Sequence, residues 1–267
     1  MTMPSVDTIV LTTKDFEISH RNRFILQPKS YAAYKSDSEI ADLILDQSND
    51  LLFVDDSGVE ACGSKAYFNH ESNGETAIQF SISRYGLKTQ FSFPRIYTGN
   101  NANYFDARNT NEVFKTVQSL AKGAGLNFNI LDSKISRIDT PKNANCKYDY
   151  SLYAPFVGQI NNRMSTKVTY SNSYLRTGNK SNQVCFYAKD PKEKLYRLEP
   201  RLLKREAVKS MSKKLGDITP YSISDLDMIS EIYKRSTIAK MDIELLQKQF
   251  IETPNEMLTA EYLTQLE

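Results

Sequence analysis

The sequence predicts an α+β fold, a central and largely antiparallel sheet flanked by helices, with a helical C-terminal tail. Three observations carry that prediction. Residues 76–84 alternate, with Ile78, Phe80 and Ile82 against Gln79, Ser81 and Ser83, which is the period of a half-buried strand. Residues 111–124 instead place Val113, Val117, Leu120, Ala121 and Ala124 at three- and four-residue steps, with Phe114 widening the stripe, as in an amphipathic helix. Residues 179–205 hold two strand-like segments around a polar turn at residues 190–194, so a hairpin is expected there.

The remaining elements follow in chain order. Residues 6–12 are β-rich and read as a first strand, and residues 16–24 as a weaker one. Residues 28–34 read as loop. Ser38 is a good N-cap for a short helix through Leu45. Asn49-Asp50 and Asp55-Asp56-Ser57-Gly58 are turn signals around a strand at 51–54. Residues 88–94 read as a strand closed by Gly99-Asn100-Asn101. In the helix at 111–124, Asn111 is the expected cap and Gly123 and Gly125 punctuate the end. Residues 126–130 and 133–140 read as strands, 150–157 as an apolar aromatic stretch of undetermined type, and 167–175 as one strand before a turn at Gly178-Asn179. After the hairpin, residues 201–215 turn helical with Gly216 as a stop. Residues 224–235, 236–250 and 255–266 complete a helical tail. The charge pattern divides the chain into residues 1–215 and a segment over 216–267.

Composition bounds the function. The 267 residues are 40% hydrophobic and 25% charged, which fits a soluble globular protein with a sizeable core. Net charge is only +2, so bulk attraction to polyanions is not expected. The distribution says more. Residues 188–214 carry ten Lys/Arg against four Asp/Glu, whereas residues 215–267 carry four against ten. A basic segment before an acidic tail suits a nucleic-acid face beside a separate or self-masking module, and equally a solvated helix face. Cys62, Cys146 and Cys185 form no zinc-like spacing, and His20 and His70 are the only histidines. No apolar run is long enough to span a bilayer and no leader is evident, so a cytoplasmic location in a host cell and no membrane partner are expected.

The hairpin concentrates the chemistry. With period-two alternation, Cys185, Tyr187 and Lys189 share one face of its first strand. Leu195, Arg197, Glu199 and Arg201 share a face of its second, with Tyr196, Leu198 and Leu202 pointing the other way. Pro200 removes a ladder donor and places this strand at an edge or a bulge. Tyr, Lys, Glu and Arg together offer a tyrosine nucleophile, a cation beside it and a carboxylate able to hold a metal. The same face also reads as the solvated side of an ordinary hairpin, with surface ion pairs of ~0–1 kcal/mol.

Four pieces in order resemble the phage and plasmid replication initiation proteins of the filamentous-phage gene II type, which are rolling-circle initiators. They are Val6-Asp7-Thr8-Ile9-Val10-Leu11, residues 87–101 with Gln90, Ile135-Ser136-Arg137-Ile138-Asp139 followed by Lys142-Asn143, and the hairpin with Tyr187-Ala188-Lys189 and Arg197-Leu198-Glu199-Pro200-Arg201. The resemblance implies a metal-dependent DNA strand-transfer endonuclease. In it, Tyr187 attacks an origin phosphodiester, giving a 5′-phosphotyrosine link and a 3′-hydroxyl primer. Lys189 stabilises the phenolate and the developing charge. Asp139, Glu199 and Gln90 hold Mg²⁺ or Mn²⁺. Arg137, Asn143, Arg197, Arg201, Lys204 and Arg205 contact the DNA. Single-stranded or origin DNA is the implied partner, with a helicase and a second copy of the chain as further candidates. Gln90 stands where the family carries a glutamate, and Ala188 also departs from the family. These departures leave room for an inactive DNA-binding relative or a non-enzymatic interaction protein of a mobile element.

Overall fold

The computed structural model describes residues 3–18, 25–27, 51–54, 60–63, 65–72, 75–83, 85–100, 105–146, 148–154, 167–171 and 174–236. The fold is α+β, with antiparallel strands and flanking helices. It divides into two compact units. The larger comprises Met1–Ile9, Ala102–Thr110 and Ile135–Glu267, and the smaller Val10–Asn101 and Asn111–Lys134. Residues on both sides of Gly216, as far as Ser236, belong to the larger unit. The helices expected at 38–45, 236–250 and 255–266 and the loop at 28–34 lie outside the described residues, apart from Ser236 itself. Among the described residues no helix is long and apolar enough to cross a membrane.

Strand β1 (Thr8–Thr13) starts in the larger unit and continues into the smaller. The smaller unit then holds β2 (Glu17–Ile18), β3 (Ile25–Gln27), β4 (Leu51–Val54), β5 (Glu60–Gly63), β6 (Lys65–Ser72), β7 (Glu75–Ser83) and β8 (Gly86–Ser92). Strands β3, β6, β7 and β8 pair antiparallel in that order. The alternation read from the sequence is the one observed. Ile78, Phe80 and Ile82 are buried on β7, as are Leu87, Thr89 and Phe91 on β8. Gly86 turns the β7–β8 hairpin at φ +118, and a Cβ there would lie 2.3 Å from the Thr13 carbonyl oxygen, so the position needs glycine.

The strand expected over 88–94 ends early. Phe93-Pro94 opens helix α1 (Phe93–Thr98) instead, and Gly99 closes it at φ 77. Proline has no N–H to lose in a first helical turn and its fixed φ favours one. Helix α2 (Thr110–Gly123) starts one residue before the expected Asn111. Its Phe114 meets Phe91 and Phe93 edge-on, with ring centroids 6.2 and 5.6 Å apart. The strand expected over 126–130 shortens to β9 (Leu126–Asn127), because the Gln118 side chain takes over the pairing. Its amide donates to the Phe128 carbonyl at 2.6 Å, and its carbonyl accepts from the Ile130 N–H at 2.9 Å.

The larger unit holds β10 (Lys134–Asp139), β11 (Lys142–Asn145), β12 (Lys167–Ser171), β13 (Tyr174–Gly178), β14 (Asn182–Asp190) and β15 (Leu195–Leu202). Residues 167–175 are therefore the start of a hairpin, not one strand. The order is β12-β13-β14-β15-β10, with β11 also on β15. The expected β14–β15 hairpin forms, but β15 is central. Pro200 is accommodated by a break in its neighbour: β11 ends its ladder at Lys142↔Leu198 and β10 resumes at Asp139↔Arg201. In the gap the Thr140 amide donates to the Pro200 carbonyl at 3.0 Å.

One face of this hairpin packs an aromatic core. Phe186, Tyr196 and Leu198 lie against Tyr150 and Tyr153 of a helical segment at 150–154. The Tyr150 ring stacks on Phe186 at 5.0 Å, and its hydroxyl donates to the Phe186 carbonyl at 2.9 Å. Helix α3 (Arg205–Leu215) starts four residues later than expected, because Arg201 and Leu202 remain in β15. Helix α4 (Leu226–Ser236) follows and packs on both α3 and β15.

Candidate active site

The opposite face of the hairpin is polar, with a buried centre at Arg197 and Glu199 and a half-buried border at Tyr187 and Arg201. Register sets its members side by side. Tyr187 pairs with Arg197, Cys185 with Glu199 and Gln183 with Arg201 across β14 and β15. On the far side of β15, Asn143 pairs with Arg197 and Asp139 with Arg201. The alternation argument thus groups Tyr187, Arg197, Glu199 and Arg201 as the register does, and the burial of Arg197 and Glu199 overturns the solvated-face alternative at the centre of this face. Asp139 and Arg197 are 1% exposed and Glu199 2%.

Ion pairs make that burial tenable, since a buried charge needs both a partner and hydrogen bonds. Arg197 donates from Nε to Asn143 Oδ1 at 2.7 Å and from a terminal nitrogen to Asp7 Oδ2 at 3.0 Å. Asp7 is fixed by its own backbone, whose amide donates to the Asp139 carbonyl at 3.0 Å. Arg137, two residues before Asp139 on the same face, grips that carboxylate with two hydrogen bonds of 3.0 and 2.5 Å. Arg201 Nε donates to Glu199 Oε1 at 2.6 Å and lies 3.7 Å from Asp139. Tyr187 Oη donates to Glu199 Oε2 at 2.6 Å. Three carboxylates thus face three guanidiniums.

The electrostatics split the two central carboxylates. Burial works against charge on Glu199, but Arg201, the Tyr187 hydroxyl and Arg197 outweigh it and hold its carboxyl below the usual carboxylate range. Burial pushes Asp139 up to about 7, opposed by the Arg137 hydrogen bonds and reinforced by the charge of Glu199. Burial, then the Glu199 charge, push the Tyr187 phenol well above its ordinary value. Burial likewise raises the Cys185 thiol, which accepts a 3.2 Å hydrogen bond from Tyr174 Oη. The Tyr174 ring lies over that of Tyr187, centroids 5.6 Å apart.

The other candidate residues divide. Lys189 sits where a bulge between Ala188 and Asp190 shifts the register, so the alternation that would place it beside Tyr187 stops one residue short. Arg197 and Asn143 are buried against each other and present no surface to DNA, a correction to their expected role. Arg137 and Arg201 are 26% and 21% exposed and border the cluster. Lys204 and Arg205 are exposed at the start of α3. Gln90 is on β8 of the smaller unit, opposite Gln79. Asp7 joins the cluster through Arg197, a role the motif spacing does not assign to it. An acid inside an apolar strand-like run, Val6-Asp7-Thr8-Ile9, was the available signal, because such a residue needs a buried partner.

The two carboxylates that the resemblance assigns to a divalent cation are already engaged by other groups. All four carboxylate oxygens of Asp139 and Glu199 already accept hydrogen bonds from Arg137, Arg201 or Tyr187. A metal there would compete with two guanidiniums for these oxygens. Among the described residues no group of three or more His, Cys, Asp or Glu comes together as a metal site.

No family model matches the chain, and no curated protein matches it. Among solved structures, a chain described as Methanococcus jannaschii TBP is similar at 12% identity, over 86% of this chain and 99% of that one, with a TM-score of 0.31. At that score the likeness carries neither fold nor function.

Proposed function

We propose that the protein nicks and rejoins a DNA strand as a rolling-circle initiator, with Tyr187 as nucleophile and Glu199 as the base that receives its proton. The observation that carries this reading is the 2.6 Å hydrogen bond from Tyr187 Oη to a carboxylate held ionised by arginine. A phenol pushed above its ordinary value supplies almost no free phenolate near neutrality, so the proton must leave as the attack proceeds. The Tyr187 oxygen bonds to phosphorus while its proton passes to Glu199. The bond from phosphorus to the 3′-oxygen breaks, and that oxygen takes a proton from solvent. The product is a 5′-phosphotyrosine link and a 3′-hydroxyl. The link conserves the phosphodiester, so the 3′-hydroxyl can reverse the step and rejoin the strand. Arg137 and Arg201, the partly exposed members of the cluster, are placed to meet phosphate oxygens as charge builds. Single-stranded origin DNA is the proposed substrate.

A second reading rests on a different observation. The balance of three carboxylates and three guanidiniums at 1–2% exposure for Asp139, Arg197 and Glu199 also describes a structural lock without chemistry. Covalent trapping separates the two. The protein is incubated with single-stranded DNA from its own element, once with Mn²⁺ and once with chelator, and denatured. An adduct that disappears in Tyr187→Phe establishes the nucleophile. An adduct formed in chelator keeps Glu199 as base. A strict need for Mn²⁺ returns Asp139 and Glu199 to the role of ligands with their arginines displaced. No adduct under either condition leaves the structural lock.

A further inference from the structure

The larger unit has a cavity of about 210 Å³ between the ends of β13–β15 and the helices α3 and α4. Its composition is lopsided. Arg201, Lys214 and Arg235 line it, and no carboxylate does so among the described residues. Lys214 lies on the same stripe of α3 as Ala207, Ser210 and Met211, at steps of three and four residues, so the helix turns this one cation towards the cavity with its apolar face. Arg235 is braced at the end of α4 by Glu231, 3.3 Å from its Nε. Arg201 uses its Nε on Glu199. Val184, Leu202 and Met211 supply an apolar wall. Ser236 Oγ, also on the lining, is buried with no hydrogen-bond partner among the described residues. A buried hydroxyl without a partner is uncommon and calls for one.

We propose that this cavity binds a phosphate-bearing ligand, a nucleotide unit or free phosphate, with Arg201, Lys214, Arg235 and Ser236 around the phosphate and the apolar wall against the rest. Three cations and a hydroxyl match the several acceptor oxygens of a phosphate, and charge-assisted hydrogen bonds of this kind are the strong ones. The volume lies below the ~300–1,000 Å³ of pockets for drug-sized ligands, so it takes one nucleotide-sized group or less. Only the choice of DNA as the source of the phosphate rests on the nicking reading. Arg201 belongs to both places, touching Glu199 on one side and the cavity on the other. A phosphate seated here would therefore compete for Arg201 and relax its hold on the base.

The test is a titration of the full chain at low salt with thymidine 5′-monophosphate, inorganic phosphate and thymidine, followed by the amide resonances of Gly178, Met211 and Lys214. Saturable shifts with the nucleotide and none with thymidine are expected. The double variant Lys214→Gln, Arg235→Gln weakens nucleotide binding about tenfold or more at an unchanged melting temperature. Inorganic phosphate binding as tightly as the nucleotide assigns the site to free phosphate. Thymidine binding as well as the nucleotide, no saturable shift, or an undiminished double variant overturns the proposal. Tyr187→Phe keeps nucleotide binding in every case where the cavity reading holds. A wild type that binds nucleotide yet forms no covalent adduct therefore removes the nicking reading and leaves the cavity standing.

Discussion

The two faces of the β14–β15 hairpin both have buried centres, Leu198 on one and Arg197 and Glu199 on the other, and are held in opposite ways. On one, Phe186, Tyr196 and Leu198 pack with Tyr150 and Tyr153. On the other, Tyr187, Arg197, Glu199 and Arg201 interlock with Asp7, Asp139 and Asn143. Aromatic contacts are many, weak and locally replaceable. A buried charge network is not, because removing one member leaves its partner charged and unpaired. The lesson is that burial alone does not say how a face responds to change.

That contrast is broken most severely at Arg197. Arg197→Met removes a charged partner of both Asp7 and Asn143 and should cost ~3–5 kcal/mol in urea unfolding. Phe186→Leu, on the apolar face, should cost only ~1–2 kcal/mol. Equal costs would show that the network behaves as ordinary packing.

The next effect is a pH slope confined to the polar face. Asp139 rises from 3.8 to about 7 on folding. Below pH 4 both folded and unfolded states hold its proton. Between there and about 7 only the folded state does, so raising the pH through this window lowers stability. Glu199 shifts downward, so its contribution is already in place above its ordinary value of 4.5 and adds no slope here. Unfolding free energy should therefore fall from pH 4.5 to 7 in the parent and less steeply in Asp139→Asn. Parallel slopes in the two proteins would refute the assignment.

The smallest effect on stability is at Tyr187. Tyr187→Phe removes one hydrogen bond to a carboxylate that keeps Arg201, and should cost ~1–2 kcal/mol. A much larger loss would make the hydroxyl a structural member of the lock, and the disappearance of an adduct in this variant would then no longer identify a nucleophile.

Much of this was legible in the sequence for one reason: alternation is local. It marks Ile78, Phe80 and Ile82 as core, and it groups Tyr187, Arg197, Glu199 and Arg201 on one side. What it cannot supply is depth. Arginine and glutamate in a strand ordinarily signal solvent, and only pairing across distant segments reverses that. Asp7 reaches Arg197, Asn143 reaches it from another strand, and no periodicity links them. Gln118 shortening β9 and Pro94 opening α1 are failures of the same kind, in which a side-chain bond or a missing N–H overrides a strand-like pattern. The bulge at Lys189 is the converse, since one extra residue cancels the alternation on which its placement relied.

The bond between Arg197 and Asp7 spans 190 positions of chain. On the ribosome, the acid emerges long before this guanidinium. Non-local pairs of this length form late, because a large loop must close before they return any free energy. The polar cluster is thus completed only after β15 has been made. A nascent chain or a fragment ending before residue 197 carries Asp7 without Arg197, and cannot assemble the tyrosine–glutamate pair at all.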